Sequence, residues 1–397
     1  MAEQYISQSS WVKLALRKFA KSKVSLISFS IILFFVFIAT FAQFIANNQP
    51  LLHIDSAGHY NFPFLKDFFR PSSSEVLIEK VYNYLAIFIV VNSLLLLLLK
   101  ICKITKYKIF GIVIISITSL LLIIPFFTVK NSFKIVDWQK VAEKETVVFA
   151  PIPYAPSQIV AEPYQKPNAK HWFGSDQIGR DVLSRMIYGA RVSLAVGFFA
   201  TTIALIIGTM VGIFAGYYGG TIDIFVMRIV EIIICFPTFL LLLILMVMFL
   251  DKGFNQSILI VICVIGFTGW TGLSRLVRGE TLKVRHMTYI KSCEASGLHP
   301  WRIMLFHILP NVTAPILIAF TFGVAGAILA ESGLSFLGFG VQPPTSSWGE
   351  LLKQALAEPF TYWHMTLFPG LALFTVVCAF NFIGEGLRLV LNPRESS

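Results

Sequence analysis

The stretch RHMTYIKSCEASGLHPWRIMLFHILPN, residues 285–311, decides the fold, because it is a basic, polar wedge set between two long apolar segments. Its front half reads as a helix and Gly297 interrupts it. A second amphipathic part follows, and Leu309-Pro310-Asn311 reads as a stop. Two short helices joined at Gly297 fit the pattern. Loops between membrane spans are usually short or featureless, so one this organised is built to dock something.

On both sides of the wedge the chain is apolar. Of 397 residues, 56% are hydrophobic and 13% charged, with a mean hydropathy of +0.75, which excludes an ordinary water-soluble domain. A helix needs roughly 20 apolar residues to cross a bilayer. Eight runs meet that need, at 24–46, 81–99, 109–127, 193–215, 226–250, 258–275, 313–334 and 366–390. Backbone groups in lipid must be satisfied within the segment, and the runs lack the alternation of a membrane barrel. The expected fold class is therefore all-α, a polytopic membrane protein of about eight transmembrane helices. The first run follows Lys13, Arg17, Lys18, Lys21 and Lys23. It is longer than the roughly 7–15 residues of a signal-peptide core, so it reads as an uncleaved anchor.

Lysines and arginines near span ends stay on the cytoplasmic side. Placing the N-terminus inside puts 18 of them on inner segments and 14 on outer ones. Nine of the 14 lie in one segment of about 60 residues, a length at which the bias loses force. Lys100, Lys103, Lys106 and Lys108 crowd one short inner connection without an acid. Both termini, and residues 285–311, are thus expected in the cytoplasm. Four divisions follow: 1–46, the basic N-terminus and first span; 47–130, an external loop and a two-span hairpin; 131–192, an external loop with an interfacial helix; and 193–397, the core.

The net charge of +11 is spread over loops with no interleaved aromatic groove, which points to topology and anionic membrane lipid and not to nucleic acid. Five cysteines lie in or beside spans without CxxC or metal spacing, so no disulfide framework or metal site is expected. No GxSxG, HExxH or GxxxxGK[ST] occurs, so the chain carries no catalytic constellation of those kinds and no phosphate-binding loop for ATP. Energy for any ATP-driven movement of the spans would have to come from a separate ATPase acting through a rigid cytoplasmic surface.

Three further stretches carry polar residues where lipid or its border is expected. In HWFGSDQIGRDVLSRMIYGARVSLAVG, from His171, Gly174-Ser175-Asp176 is a turn, and Asp181 to Arg191 reads as an amphipathic helix on the membrane surface. Asp176, Gly179, Arg180, Asp181, Arg185 and Arg191 form its candidate polar motif, either contacting a ligand or pairing locally at the interface. Ala215 to Gly220 breaks a helix, and Asp223 and Arg228 open the next. Near the end of the seventh run comes ESGLSFLGFGVQPPTSSWGELL, where small residues permit close helix packing. Its Glu331, with Asn381 and Glu385, makes up the polar groups at or near span depth. They are candidates for a substrate pathway, with solvation at the span ends as the alternative.

Taken in order, the basic N-terminus and first span, FGSDQIGRDVLSRMIYGARVSL, GGTIDIFVMRIVEIIICFPTFLLL, the loop ending HILPN, and ESGLSFLGFGVQPPTSSWGELL resemble the second membrane subunit of dipeptide/oligopeptide ABC importers. The match covers about 1–46 and 171–392. Residues 285–311 are similar to that family's EAA motif, with Gly297 in the middle and Leu309-Pro310 at the end. The resemblance implies that this region is a coupling helix inserted into an ATP-binding subunit, through Lys291, Ser292, Cys293, Glu294, Ala295, Gly297, Arg302, Leu309 and Pro310. Lys291-Ser292-Cys293 stands where the family has Glu-Ala-Ala, which reverses one charge. The hairpin at 81–127 is an addition to a six-span pattern, and two spans preserve the side on which Gly297 falls. The resemblance further implies no cofactor, a bacterial inner-membrane location, a second homologous permease, two ATP-binding subunits, an external solute-binding protein and a peptide substrate. A nickel or other small-solute importer shares this architecture. An autonomous ion-coupled carrier would need intramembrane ion sites that the sequence does not clearly show.

Overall fold

A computed structural model describes residues 18–55, 58–69, 76–101, 138–142, 145–250 and 257–391. Helix α1 (Lys23–Thr40) is followed by the short α2 (Ala42–Ile45), strands β1 (Leu52–Ile54) and β2 (Tyr60–Asn61), α3 (Pro63–Phe69) and α4 (Val76–Ile101). Then come α5 (Trp138–Val141), β3 (Thr146–Val148), α6 (Val182–Tyr218), α7 (Gly220–Ile234), α8 (Thr238–Leu250) and α9 (Ser257–Arg285). The last part holds α10 (Thr288–Ala295), α11 (Pro300–Ile303), a π-turn (Met304–Ile308), α12 (Leu309–Phe336), α13 (Trp348–Gln354) and α14 (Trp363–Leu391).

Five described helical runs are long and apolar enough to cross a membrane: α1, α6, α9, the continuous run Pro300–Phe336, and α14. Helices α7 and α8 are apolar enough to cross only when taken together, and they are bent by 78° as in a broken span or a re-entrant loop. That bend corrects the reading of 226–250 as one plain span. Pro237 lacks an N–H and cannot continue the preceding helix, so α7 stops at Ile234 and α8 restarts at Thr238. The run at 81–99 lies within α4, whereas 109–127 and the lysines at 103–108 fall outside the described residues.

The chain divides into two compact units. One holds residues up to 34, 193–341 and 370 onward. In it α6 and α9 approach closely along Gly208, Gly212 and Gly216, one residue per turn of α6. A Cβ added there would stand 2.8 Å from the Trp270 carbonyl oxygen, 2.7 Å from that of Ser274 and 2.7 Å from Thr281 Cβ, respectively. This small-xxx-small spacing lets backbones meet where lipid offers no hydrophobic drive. Helix α9 also packs on α8 and α12. Helix α12 ends in a Schellman turn, with Gly338 at φ +90°, Phe339 N–H donating to Leu334 O and Gly338 N–H to Ser335 O.

The other unit holds residues 35–192 and 342–369. It contains the one sheet among the described residues, a small antiparallel one ordered β2-β1-β3, in which His53 pairs with Asn61 on one side and Val147 on the other. Two segments expected only as external loops thus supply the strands. His53 Nε2 also meets Glu145 Oε2 at 2.5 Å. From Phe149 to Asp181 the chain is irregular, as its Pro and Tyr content requires.

Candidate functional site

The wedge at 285–311 forms as two helices around Gly297, which sits in the left-handed region at φ +74°. Its closing element differs from expectation. Leu309-Pro310 does not stop a helix but begins α12, and the run is helical from Pro300 through the π-turn to Phe336. Pro310 falls inside this run, directly after the π-turn that the Leu309 N–H closes by donating to Met304 O. The turn is sewn into the bundle by one apolar cluster: Ile213 and Tyr217 of α6, Val277 and Val284 of α9, Ile290 of α10, and Ile303, Met304, Ile308 and Val312. Ile290 is 0% exposed, and Cys293 and Leu298 pack against the cluster. Asn311 Nδ2 donates to Tyr289 Oη at 2.9 Å and to His307 O at 2.6 Å, and burial pushes the Tyr289 phenol up.

Polar contacts hold the same end. Glu294 lies near Tyr217, and Arg278 forks onto Asp223, Nε to Oδ1 and Nη2 to Oδ2, both at 2.5 Å. Lys291, Ser292, Glu294, Ala295, Gly297 and Arg302 are exposed.

The Asp176–Arg191 motif is not a solvated interfacial helix. Residues from Val182 are the first turns of the 37-residue α6, and the charged groups are buried. The reason is a set of partners distant in sequence. Arg185, 0% exposed, donates from Nη2 to Glu350 Oε2 at 2.6 Å and from Nη1 to Pro156 O at 3.2 Å. Its Nε lies 3.3 Å from Asp176 Oδ2 as an electrostatic contact without hydrogen-bond geometry. Asp176 Oδ2 accepts from Arg180 Nε at 2.6 Å, and Asp176 Oδ1 from the Arg180 and Ile178 N–H groups. Gly179, at φ +87°, sits against the Ala161 carbonyl where any Cβ would collide.

Two members of the motif go elsewhere. Asp181 caps α6 by accepting from Ser184 N–H at 2.8 Å and meets His171 Nδ1 at 2.9 Å. Arg191, 1% exposed, donates to the Ala39 and Thr40 carbonyls that end α1, between the rings of Tyr82 and Tyr188. The TSSWGELL segment completes this layer. Ser347 caps α13 by accepting from Glu350 N–H, Gln354 Nε2 donates to Glu350 Oε1 at 2.5 Å, and Trp348 Nε1 donates to Met186 O. Burial, with Tyr362, Asp176 and Glu358 nearby, pushes the Tyr164 phenol up.

Glu331 also departs from expectation. It is 0% exposed and accepts from Ser335 Oγ at 2.7 Å, Ser193 Oγ at 3.2 Å and Ser332 Oγ at 3.4 Å. Asn381 and Glu385 are exposed, with Glu385 3.9 Å from Arg388. The three candidates for a substrate pathway are therefore not one cluster. A cavity of about 370 Å³ lies instead among α6, α8, α9 and α12, lined by small and hydroxyl-bearing residues such as Thr201, Thr268, Gly272, Gly326 and Ala330. None of the three candidates lines it. Sequence reading missed this cavity, the glycine seam and Glu350. The four-residue glycine spacing at 208–216 was the available signal.

A family model described as the inner membrane component of binding-protein-dependent transport systems matches residues 208–397, and one described as the N-terminal transmembrane domain of oligopeptide transport permease C matches 9–63. The dipeptide transport system permease protein DppC of Alkalihalophilus pseudofirmus is 41% identical over 257 residues, 63% of this chain and 82% of the relative. This chain belongs to the binding-protein-dependent transport permeases. It is a multi-pass inner-membrane protein of the ABC permease family. The DppC of Bacillus subtilis is 39% identical, covering 60% of this permease and 73% of the relative. The glutathione transport system permease protein GsiD of Pectobacterium atrosepticum is 38% identical, covering 58% and 75%. Among solved structures, the methionine ABC transporter MetNI in an inward-facing conformation is matched over 51% of this chain and 95% of that chain, at TM-score 0.42 and 16% identity.

Proposed function

We propose that this permease is one of two paired membrane subunits of a peptide importer, and that residues 285–311 receive a separate ATP-hydrolysing subunit. Relatives named for dipeptide and glutathione transport support the substrate class. The observation that carries the coupling role is the apolar cluster around Ile290 and Met304, which fixes the exposed turn to α6, α9 and α12 at once. A push on a turn fastened in this way moves three long helices and not a loop. ATP binding in the partner would exploit two arrangements of those helices, with different contacts in each. A solute-binding protein would deliver peptide from outside, and the uncharged cavity beside Thr201 and Thr268 would form part of the path between the two permeases.

Purification from native membranes tests the reading. A tagged chain should bring down a second permease and an ATPase, and the reconstituted complex should hydrolyse ATP faster when peptide-loaded binding protein is added. Uptake into vesicles by this chain alone, driven by an ion gradient, would refute it.

A further inference from the structure

Two glycines at the cavity among α6, α8, α9 and α12 are not explained by packing. Gly272 of α9 and Gly326 of α12 line it, and a Cβ added at either meets no heavy atom within 4 Å. Glycine is a poorer helix former than alanine, and neither residue has the positive φ that would call for it. Close approach accounts for Gly208, Gly212 and Gly216 in the α6–α9 seam, whereas nothing stands against these two. Both are exposed, so they lie where the cavity opens.

Thr201 of α6 adds an independent observation. It lines the same cavity, is 7% exposed, and its hydroxyl has no hydrogen-bond partner among the described residues. Other threonines in these spans bond back to their own helix: Thr202 Oγ1 donates to Phe198 O at 2.7 Å and Thr268 Oγ1 to Val264 O at 2.8 Å. A buried hydroxyl left unpaired costs stability, so one beside a cavity is kept for something that enters. In a helix threonine splits between two χ1 rotamers, and the hydroxyl can swing to meet an entering carbonyl. Among the described residues lining the cavity none is charged, and about 370 Å³ falls in the size range of small-molecule sites, which join apolar walls to a few polar groups. A charged side chain would lose its water here with no compensating partner.

We infer that this cavity receives an uncharged residue of the transported peptide, with Gly272 and Gly326 setting the size of side chain it admits and the Thr201 hydroxyl donating to a peptide carbonyl. The inference deepens the import role proposed above and rests on it. Side chains placed at 272 and 326 would take up the space that a peptide side chain needs, and the fold has room for them.

The test reconstitutes the assembled importer in vesicles, with its binding protein outside and ATP inside, and measures uptake of trialanine and of Ala-Phe-Ala. Each variant is compared with wild type on the same peptide, which cancels the binding protein's own preference. Gly272→Val and Gly326→Val should each slow Ala-Phe-Ala by about tenfold more than trialanine. Photolabelling reads the site directly. With turnover arrested by a non-hydrolysable ATP analogue, the neutral diazirine peptide Ala-photoleucine-Ala should label α6, α8, α9 or α12. Thr201→Val nearly keeps the shape and removes the hydroxyl, so the complex should melt no lower while labelling falls by about threefold or more. Thr201→Ser should retain the label. Equal slowing of both peptides by the glycine variants, or no slowing, overturns the inference, as does a label confined to other segments. A glycine variant that purifies without the second permease makes these residues a packing surface and also overturns it. Phospholipid held by wild type and lost from Gly272→Val, with no peptide label, assigns the cavity to a lipid tail, with the same result. In all these cases wild-type uptake persists and the import reading stands. If wild-type vesicles import neither these peptides nor the alanine dipeptide, the import reading falls and the inference with it.

Discussion

Replacing Gly212 by alanine tests the seam on which the core depends. The added methyl would sit 2.7 Å from the Ser274 carbonyl oxygen, 2.8 Å from Val277 Cβ and 3.0 Å from Arg278 N. Two of these three are backbone atoms, which cannot swing aside as a side chain can. Ordinary contact begins near 3.4 Å, so α6 and α9 must part by several tenths of an ångström. Overpacking of this kind costs about 1–3 kcal/mol. Alanine returns up to about 1 kcal/mol through its better helix propensity. A control isolates the clash, because Gly279 on α9 has no heavy atom within 4 Å of an added Cβ. Gly279→Ala should leave thermal unfolding of the purified complex unchanged or slightly raised. Gly212→Ala should lower it by a few degrees at most, since the shift is roughly 2–4 °C per kcal/mol for domains of about 150–250 residues and falls with size. Gly212→Leu should prevent assembly. Equal melting of Gly212→Ala and Gly279→Ala would refute the close-contact reading of the seam.

Other outcomes follow from the same contacts. Gly297 has open space around it but a left-handed backbone, so Gly297→Asn should transport almost normally, while Gly297→Val should lose uptake with insertion intact, as read by peptide uptake and membrane content. Glu350→Gln leaves the buried Arg185 with only Asp176, which Arg180 also engages, and should destabilise by up to about 3–5 kcal/mol, whereas Arg185→Met with Glu350→Met should regain most of the loss in the same melting assay. Ile290→Ala should cost about 2–5 kcal/mol locally, and hydrogen exchange across 285–311 should rise while that of α14 stays unchanged.

Much of the architecture was legible because a bilayer demands long apolar runs, and α1, α6, α9, α12 and α14 each answer to one. The break at Pro237 was not, since both sides of it are apolar and their summed length equals a span. The two-helix turn was legible from Gly297, but Leu309-Pro310 misled because a proline beside a π-turn can lie within a helical run. Arg185 looked like an interfacial charge because its partner Glu350 lies 165 residues away. Glu331 looked solvated for the same reason, with Ser193 138 residues before it. Strands of two and three residues lie below any periodicity that sequence could reveal.

The two buried arginines of α6 stand differently during synthesis. The chain is made from its N-terminus, so the Ala39 and Thr40 carbonyls and the Tyr82 ring exist before Arg191 is added. Arg185 then has Asp176 but waits for Glu350. At about 5–20 residues per second that delay is roughly 8–33 s. During it, a half-made chain holds an arginine whose second acid does not yet exist. Glu350 therefore marks the point at which this part of the protein can first close.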